Sequence, residues 1–196
     1  MEIKLLSGDE KFSYSFANPP KRKILDFWSW NGSDLLNNTL RGALAEYIVA
    51  LALNIELNQV RQDWTEYDLI TSNNVKIEVK SSAYLQSWKQ NHLSSIRFGC
   101  APSQAFVNQK YDGNKLRHSN IYIFCLFECK DPEIANPLNL DQWLFYILPT
   151  KIIDDKLKQQ KTISLKSLLK LSPMEARFHE IASCIDSLRE KDCRID

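Results

Sequence analysis

The chain has 196 residues, a formal net charge of +1 and 25% charged residues. That length sets an expectation of one α/β domain, residues 1–196, with enough chain to bury a core. The near-zero charge excludes a globally basic nucleic-acid binder, so any such site must be a local cleft. No apolar run reaches the length needed to span a bilayer, and Met1-Glu2-Ile3-Lys4 does not open a signal peptide, so a cytosolic location is expected. The five cysteines are odd in number and form no Cys-x-x-Cys pair, which argues for buried thiols rather than disulfides or a zinc ribbon.

In chain order, Lys21-Arg22-Lys23 precedes Trp28 and Trp30. Cations beside indoles can contact nucleic acid. The favoured expectation is a solvated charge run followed by tryptophans packed on the core. Ser33-Asp34 is a candidate cap for a short helix. Residues 39–55 carry the clearest helical pattern, with Leu44, Ile48, Leu51 and Ile55 at helical spacing and an apolar opposite side. Such a helix is expected to be buried all round. Glu46 is its one carboxylate between Gly42 and Leu53, and burial there demands a cation partner, either a salt bridge with Arg41 or Lys80 or a metal.

The polar connection from Asn58 to Glu66 contains two spare acids, Asp63 and Glu66, expected on the loop surface. It leads into Tyr67–Gln86, the stretch that carries the chemistry. Tyr67-Asp68-Leu69-Ile70 and Lys76-Ile77-Glu78-Val79-Lys80 are β-prone, and Thr71-Ser72-Asn73-Asn74 between them is rich in turn residues. Alternation puts Lys76, Glu78 and Lys80 on one strand face and Ile77 and Val79 on the other. A hairpin centred on Asn73 sets Asp68 opposite Glu78, with Cβ atoms about 5 Å apart. Two carboxylates that close need a positive charge between them. A divalent cation with oxygen ligands meets that need, and Lys80 points at the same spot.

Asp68, a turn and then Glu78-Val79-Lys80 resembles the core motif of the PD-(D/E)XK nuclease superfamily, with Tyr67 in place of the motif's proline. The resemblance implies a restriction-endonuclease-like fold, a mixed central β-sheet flanked by α-helices. Its motif core would run over 40–127, followed by a C-terminal strand and helices over 143–190. It further implies a Mg²⁺- or Mn²⁺-dependent endonuclease of restriction or repair type acting on DNA. Asp68, Glu78 and the Val79 carbonyl would hold the metal, Lys80 would serve the attacking water or the phosphate, and Glu46 and Gln86 would assist. Ser81, Ser82, Lys89, Lys115 and Arg117 are candidate nucleic-acid contacts. Cutting both strands would ordinarily need two sites, which makes a homodimer or a separate specificity subunit an expectation too. Two other readings stay open: an inactive DNA-binding module on the same fold, and an interaction protein whose hairpin charges form a solvated sheet face.

Downstream, His92 is isolated from other ligand-type residues, and Ile96-Arg97-Phe98 is expected as the third core strand. Residues 99–120 read as a long polar loop, containing Asn108, Gln109, Lys115 and Arg117, that would flap over DNA. Ile121–Phe127 is continuously apolar, as in a strand buried on both faces, and is expected beside the hairpin. Trp143–Leu148 reads as another strand stopped by Pro149, and Ile163–Leu165 as a short one. Pro173–Glu190 is expected to be a helix opened by Ser172 and Pro173.

Overall fold

The computed structural model describes residues 3–62, 65–107 and 110–192. In chain order the elements are α1 (Ile24–Gly32), α2 (Asn38–Ala52), β1 (Leu69–Ile70), β2 (Lys76–Ala83), β3 (Arg97–Gly99), β4 (Ser103–Val107), β5 (Lys110–Leu116), β6 (Ile121–Phe127), β7 (Trp143–Pro149), α3 (Thr150–Leu157), β8 (Thr162–Ser164), α4 (Leu165–Leu169), β9 (Met174–Ala176) and α5 (Ile181–Asp192). The fold is mixed α/β, as expected. A central sheet of order β1-β2-β6-β7-β9 has one parallel pair, β2 with β6, and is otherwise antiparallel. Among the described residues no helix is long and apolar enough to cross a membrane.

β6 holds the middle of this sheet, and all seven of its residues are buried. Its alternate side chains feed two cores. Ile123, Cys125 and Phe127 join Ile77 and Val79 of β2 beneath α2 (Ala45, Ile48, Val49) and α5 (Ile181, Ile185). Tyr122, Phe124 and Leu126 face the other way, against Phe98 of β3, Ile153 of α3, Ile163 of β8 and Leu168 of α4. The uninterrupted apolar run is what lets β6 serve both layers at once.

Several expectations are corrected. Arg97–Gly99 does not join the central sheet; β3 pairs with β8 in a separate two-stranded sheet under the second core. Residues 99–120 are not a loop: β4 and β5 form an antiparallel hairpin, while Asn108 and Gln109 lie outside the described residues. The start of the expected 173–190 helix is strand β9, paired with β7, and the helix begins only at Ile181. Ser172 has a φ of 52°, a left-handed turn rather than a helix cap.

α2 ends at Ala52, three residues short of the expected end, where Asn54 turns left-handed at φ 51°. Its cap is Asn37, whose side chain accepts from the Thr39 and Leu40 amides; Asp34 instead accepts from Leu36. The helix is not buried all round: Arg41, Ala45, Ile48 and Val49 are buried on one face and Ala50 on the other, while Leu51 and Tyr47 are exposed. The tryptophans of α1 do not pack on the core either: no residue of that helix is buried, and Trp30 is 82% exposed. Lys23 and Arg22 pair with Asp9 and Asp26. Cys100, Cys125, Cys129 and Cys184 are free and buried, as expected; Cys193 lies outside the described residues.

Because Ile123 is fully buried at the centre of β6, Ile123→Ala is expected to cost about 2–5 kcal/mol. Urea unfolding checks this as a lowered midpoint with unchanged slope.

Candidate active site

The hairpin that builds the site is fixed by its turn. Thr71 donates its amide to the Val75 carbonyl (3.1 Å), Asn74 donates to the Thr71 carbonyl (2.9 Å), and the Thr71 hydroxyl accepts from the Val75 amide (3.1 Å). Asn74 sits at φ 61°, a region asparagine tolerates better than most residues. The register is Leu69↔Ile77 and Ile70↔Lys76, a hairpin centred on Asn73. One residue before β1, the Asp68 amide donates to the Ile77 carbonyl (3.0 Å), one place out of that register, so Asp68 and Leu69 both face Ile77 in a bulge and Asp68 is not squarely opposite Glu78 as expected.

On that face Lys80 Nζ lies 2.5 Å from Glu78 Oε1 and 3.8 Å from Asp68 Oδ2. The second Asp68 contact runs to the backbone: Val79 donates its amide to Asp68 Oδ2 at 2.7 Å. A strand residue directs its N–H and C=O to the same sheet edge, so the Val79 carbonyl also belongs to the β1 side. All three charged side chains are partly shielded, Asp68 and Glu78 being 20% and 19% exposed. Burial first, and then the Asp68 carboxylate, push the Glu78 carboxyl above its ordinary range; Lys80 opposes this without cancelling it. Burial alone would lower Lys80, but Glu78 and Asp68 together hold its ammonium above the ordinary lysine value. The cluster therefore carries more negative charge than one lysine neutralises, and its donors are hard oxygens, which suits a divalent cation. Among the described residues no three His, Cys, Asp or Glu side chains gather as a ready-made metal cage, so an ion here would draw on two carboxylates, main chain and water.

Glu46 comes from the α2 layer. Neither Arg41 nor Lys80 is its partner: Arg61 grips it with Nε to Oε2 at 2.6 Å and Nη2 to Oε1 at 2.7 Å. Glu46 lines a cavity with Asp68 and acts on Glu78 only through the field, behind burial, Asp68 and Lys80. Arg61 went unread in the sequence because its polar stretch showed no periodicity; the lone carboxylate of α2 was the one hint that a cation had to arrive. Of the spare acids, Glu66 pairs with Lys76 at 3.7 Å, and Asp63 lies outside the described residues.

Gln86 does not reach Lys80. It donates to the Ala83 carbonyl (3.0 Å), and its oxygen faces Arg41 Nη1 at 3.5 Å. Arg41 is 4% exposed, and its remaining contacts are Leu36 O and Asn38 Oδ1, all neutral acceptors, so burial depresses its affinity for the proton. Ser82 is buried on β2, Ser81 half-buried, and Lys89 and Lys115 are exposed. Arg117 is corrected as a nucleic-acid contact: its side chain is 1% exposed and bonds Asp154, the Cys100 carbonyl and the Gln160 carbonyl. His92 is exposed.

Two carboxylates and a lysine thus gather at one edge of a mixed sheet, and comparison with known proteins points to a nuclease. A family model described as bacteriophage T4 endonuclease IV matches residues 21–167, well over half of the chain. The chain belongs to that family. No curated protein matches it.

The folded state holds the Glu78 proton more tightly than an unfolded chain does. Ionising Glu78 therefore costs stability as pH rises from its ordinary value of 4.5 upward, and the cost vanishes below that value, where both states are protonated. Glu78→Gln is expected to melt above the wild type at about pH 7, the two converging below about pH 4. Calorimetric melting across that range checks it, and a variant melting lower at neutral pH would show the Lys80 ion pair to dominate.

Proposed function

We propose that this protein is a metal-dependent endonuclease of the PD-(D/E)XK type, one domain over residues 1–196, hydrolysing phosphodiester bonds in DNA. The observation that carries the reading is the triangle of Asp68, Glu78 and Lys80 on the β1–β2 hairpin of a chain in an endonuclease family. Asp68, Glu78 and the Val79 carbonyl would hold Mg²⁺ or Mn²⁺. Such an ion, when bound, polarises a phosphoryl oxygen and eases ionisation of the attacking water.

The chain's own residues supply the rest. The Val79 amide fixes Asp68, so one carboxylate is oriented before any ligand arrives. Lys80, within reach of both carboxylates, would position the attacking water or stabilise charge building on the phosphate. Glu46, steadied by Arg61, deepens the negative potential on the α2 side. Gln86 bridges Arg41 and the end of β2, a supporting position for both elements. Water would attack the phosphorus and give up a proton to solvent as the bond from phosphorus to the 3′- or 5′-oxygen breaks, and that oxygen would leave with a proton from solvent. Cutting of both strands would use two copies or a partner subunit, in restriction- or repair-type work.

Mg²⁺ or Mn²⁺ titrated by calorimetry is expected to bind the wild type and not Asp68→Asn. Plasmid and single-stranded DNA assayed alongside should be cut only with metal. Glu78→Ala should remain folded by circular dichroism and lose at least about 100-fold in rate, the scale of one pre-organised electrostatic contact. Retained cleavage in folded Glu78→Ala would sink the site assignment, and metal-independent DNA binding without cleavage would favour the inactive module.

A further inference from the structure

The cavity that Glu46 and Asp68 share continues well past the two carboxylates. Its volume is about 730 Å³, and it lies between α2 and the chain leading into β1. That size falls within the range of roughly 300–1,000 Å³ for sites that take small organic ligands. Ala50 and Ile55 give it an apolar floor, Tyr47 and Tyr67 contribute rings, and Asn58 and Gln62 contribute amides.

We infer that this cavity receives one nucleobase of the strand being cut, drawn out of its stack, and sets which base is accepted beside the cut. The inference rests on the nuclease reading of the neighbouring carboxylates. Three observations point to this ligand class. A base has flat apolar faces and a hydrogen-bonding edge, matching rings and floor in one direction and amides in another.

The second observation is charge. Three carboxylates, Glu46, Glu56 and Asp68, line the cavity against one cation, Arg61, which Glu46 already engages, so an anionic group is turned away while a neutral base is admitted. The phosphate then stays at the hairpin edge, where Lys80 supplies positive charge. The third is placement: Tyr47 and Tyr67 line the same cavity as Glu46 and Asp68, so a ring held by either tyrosine shares that cavity with the two carboxylates. Tyr47 is 52% exposed, a large aromatic surface at the mouth that the fold itself does not cover. Tyr67 has the Lys76 ammonium over its ring at 5.0 Å, which fixes the ring's attitude.

The test has two arms. In the first, the full-length protein without metal is titrated with the four deoxynucleosides, which lack phosphate, and followed by NMR. One deoxynucleoside is expected to bind more tightly than the others and to shift resonances of Tyr47 and Tyr67. Tyr47→Ala should weaken it on the order of tenfold, the scale of losing one stacking partner, while Tyr47→Phe retains it. In the second, cut positions on mixed-sequence DNA with Mg²⁺ are mapped, and Tyr47→Ala should flatten the base preference beside the cut. Four deoxynucleosides that leave both tyrosines unshifted, or a folded Tyr47→Ala with unchanged binding and cut pattern, would overturn the inference. A wild type that binds a deoxynucleoside but cuts nothing would count against the nuclease reading and leave the pocket standing.

Discussion

The structure turns on a shortage of positive charge. Asp68 and Glu78 share one ammonium, Lys80, and burial raises the cost of that arrangement. Like charges converge only where the backbone forces them together, and here the force comes from register. A one-residue slip of β1 against β2 would send the strand's side chains to opposite faces and dissolve the cluster. The Thr71–Asn74 turn prevents the slip from one end, and β6 prevents it from the side, pairing with β2 over Ile77–Ala83. Because β6 is buried on both faces, moving β2 would disturb two cores at once.

That electrostatic strain is of the kind found at functional sites, where stability is given up for reactivity. A tightly bonded Glu78–Lys80 pair alone would be a structural ion pair. What separates this one is the second carboxylate, fixed by a backbone amide rather than by a cation. The buried Arg41 offers a contrast inside the same molecule. It has neutral acceptors and no carboxylate, and it ties α2 to the segment after β2 without adding to the field at the hairpin.

Much of the centre was legible in the sequence because its signals are local. Turn residues at 71–74 define the hairpin, alternation at 76–80 sorts its faces, and the run at 121–127 declares a strand with apolar neighbours on both sides. The failures lie where a distant partner decides. Leu51 fits the helical stripe, yet the sheet meets the Arg41, Ala45 and Ile48 face instead. Residues 97–99 are β-prone, but β8, more than sixty positions on, draws them out of the main sheet. Met174–Ala176 follows a proline and sits before a good helix, and only the free edge of β7 makes it a strand. Arg61 joins Glu46 from a stretch with no pattern at all.

β1 is two residues long, and among the described residues it leaves most of one edge of β2 without a neighbouring strand. An open edge is where a second chain can add itself and propagate a sheet. The Asp68 side chain takes up the Val79 amide on that edge and puts a negative charge in the path of any strand that would dock there. One side chain thus both closes the hairpin's charged cluster and occupies a backbone donor that an incoming strand would need.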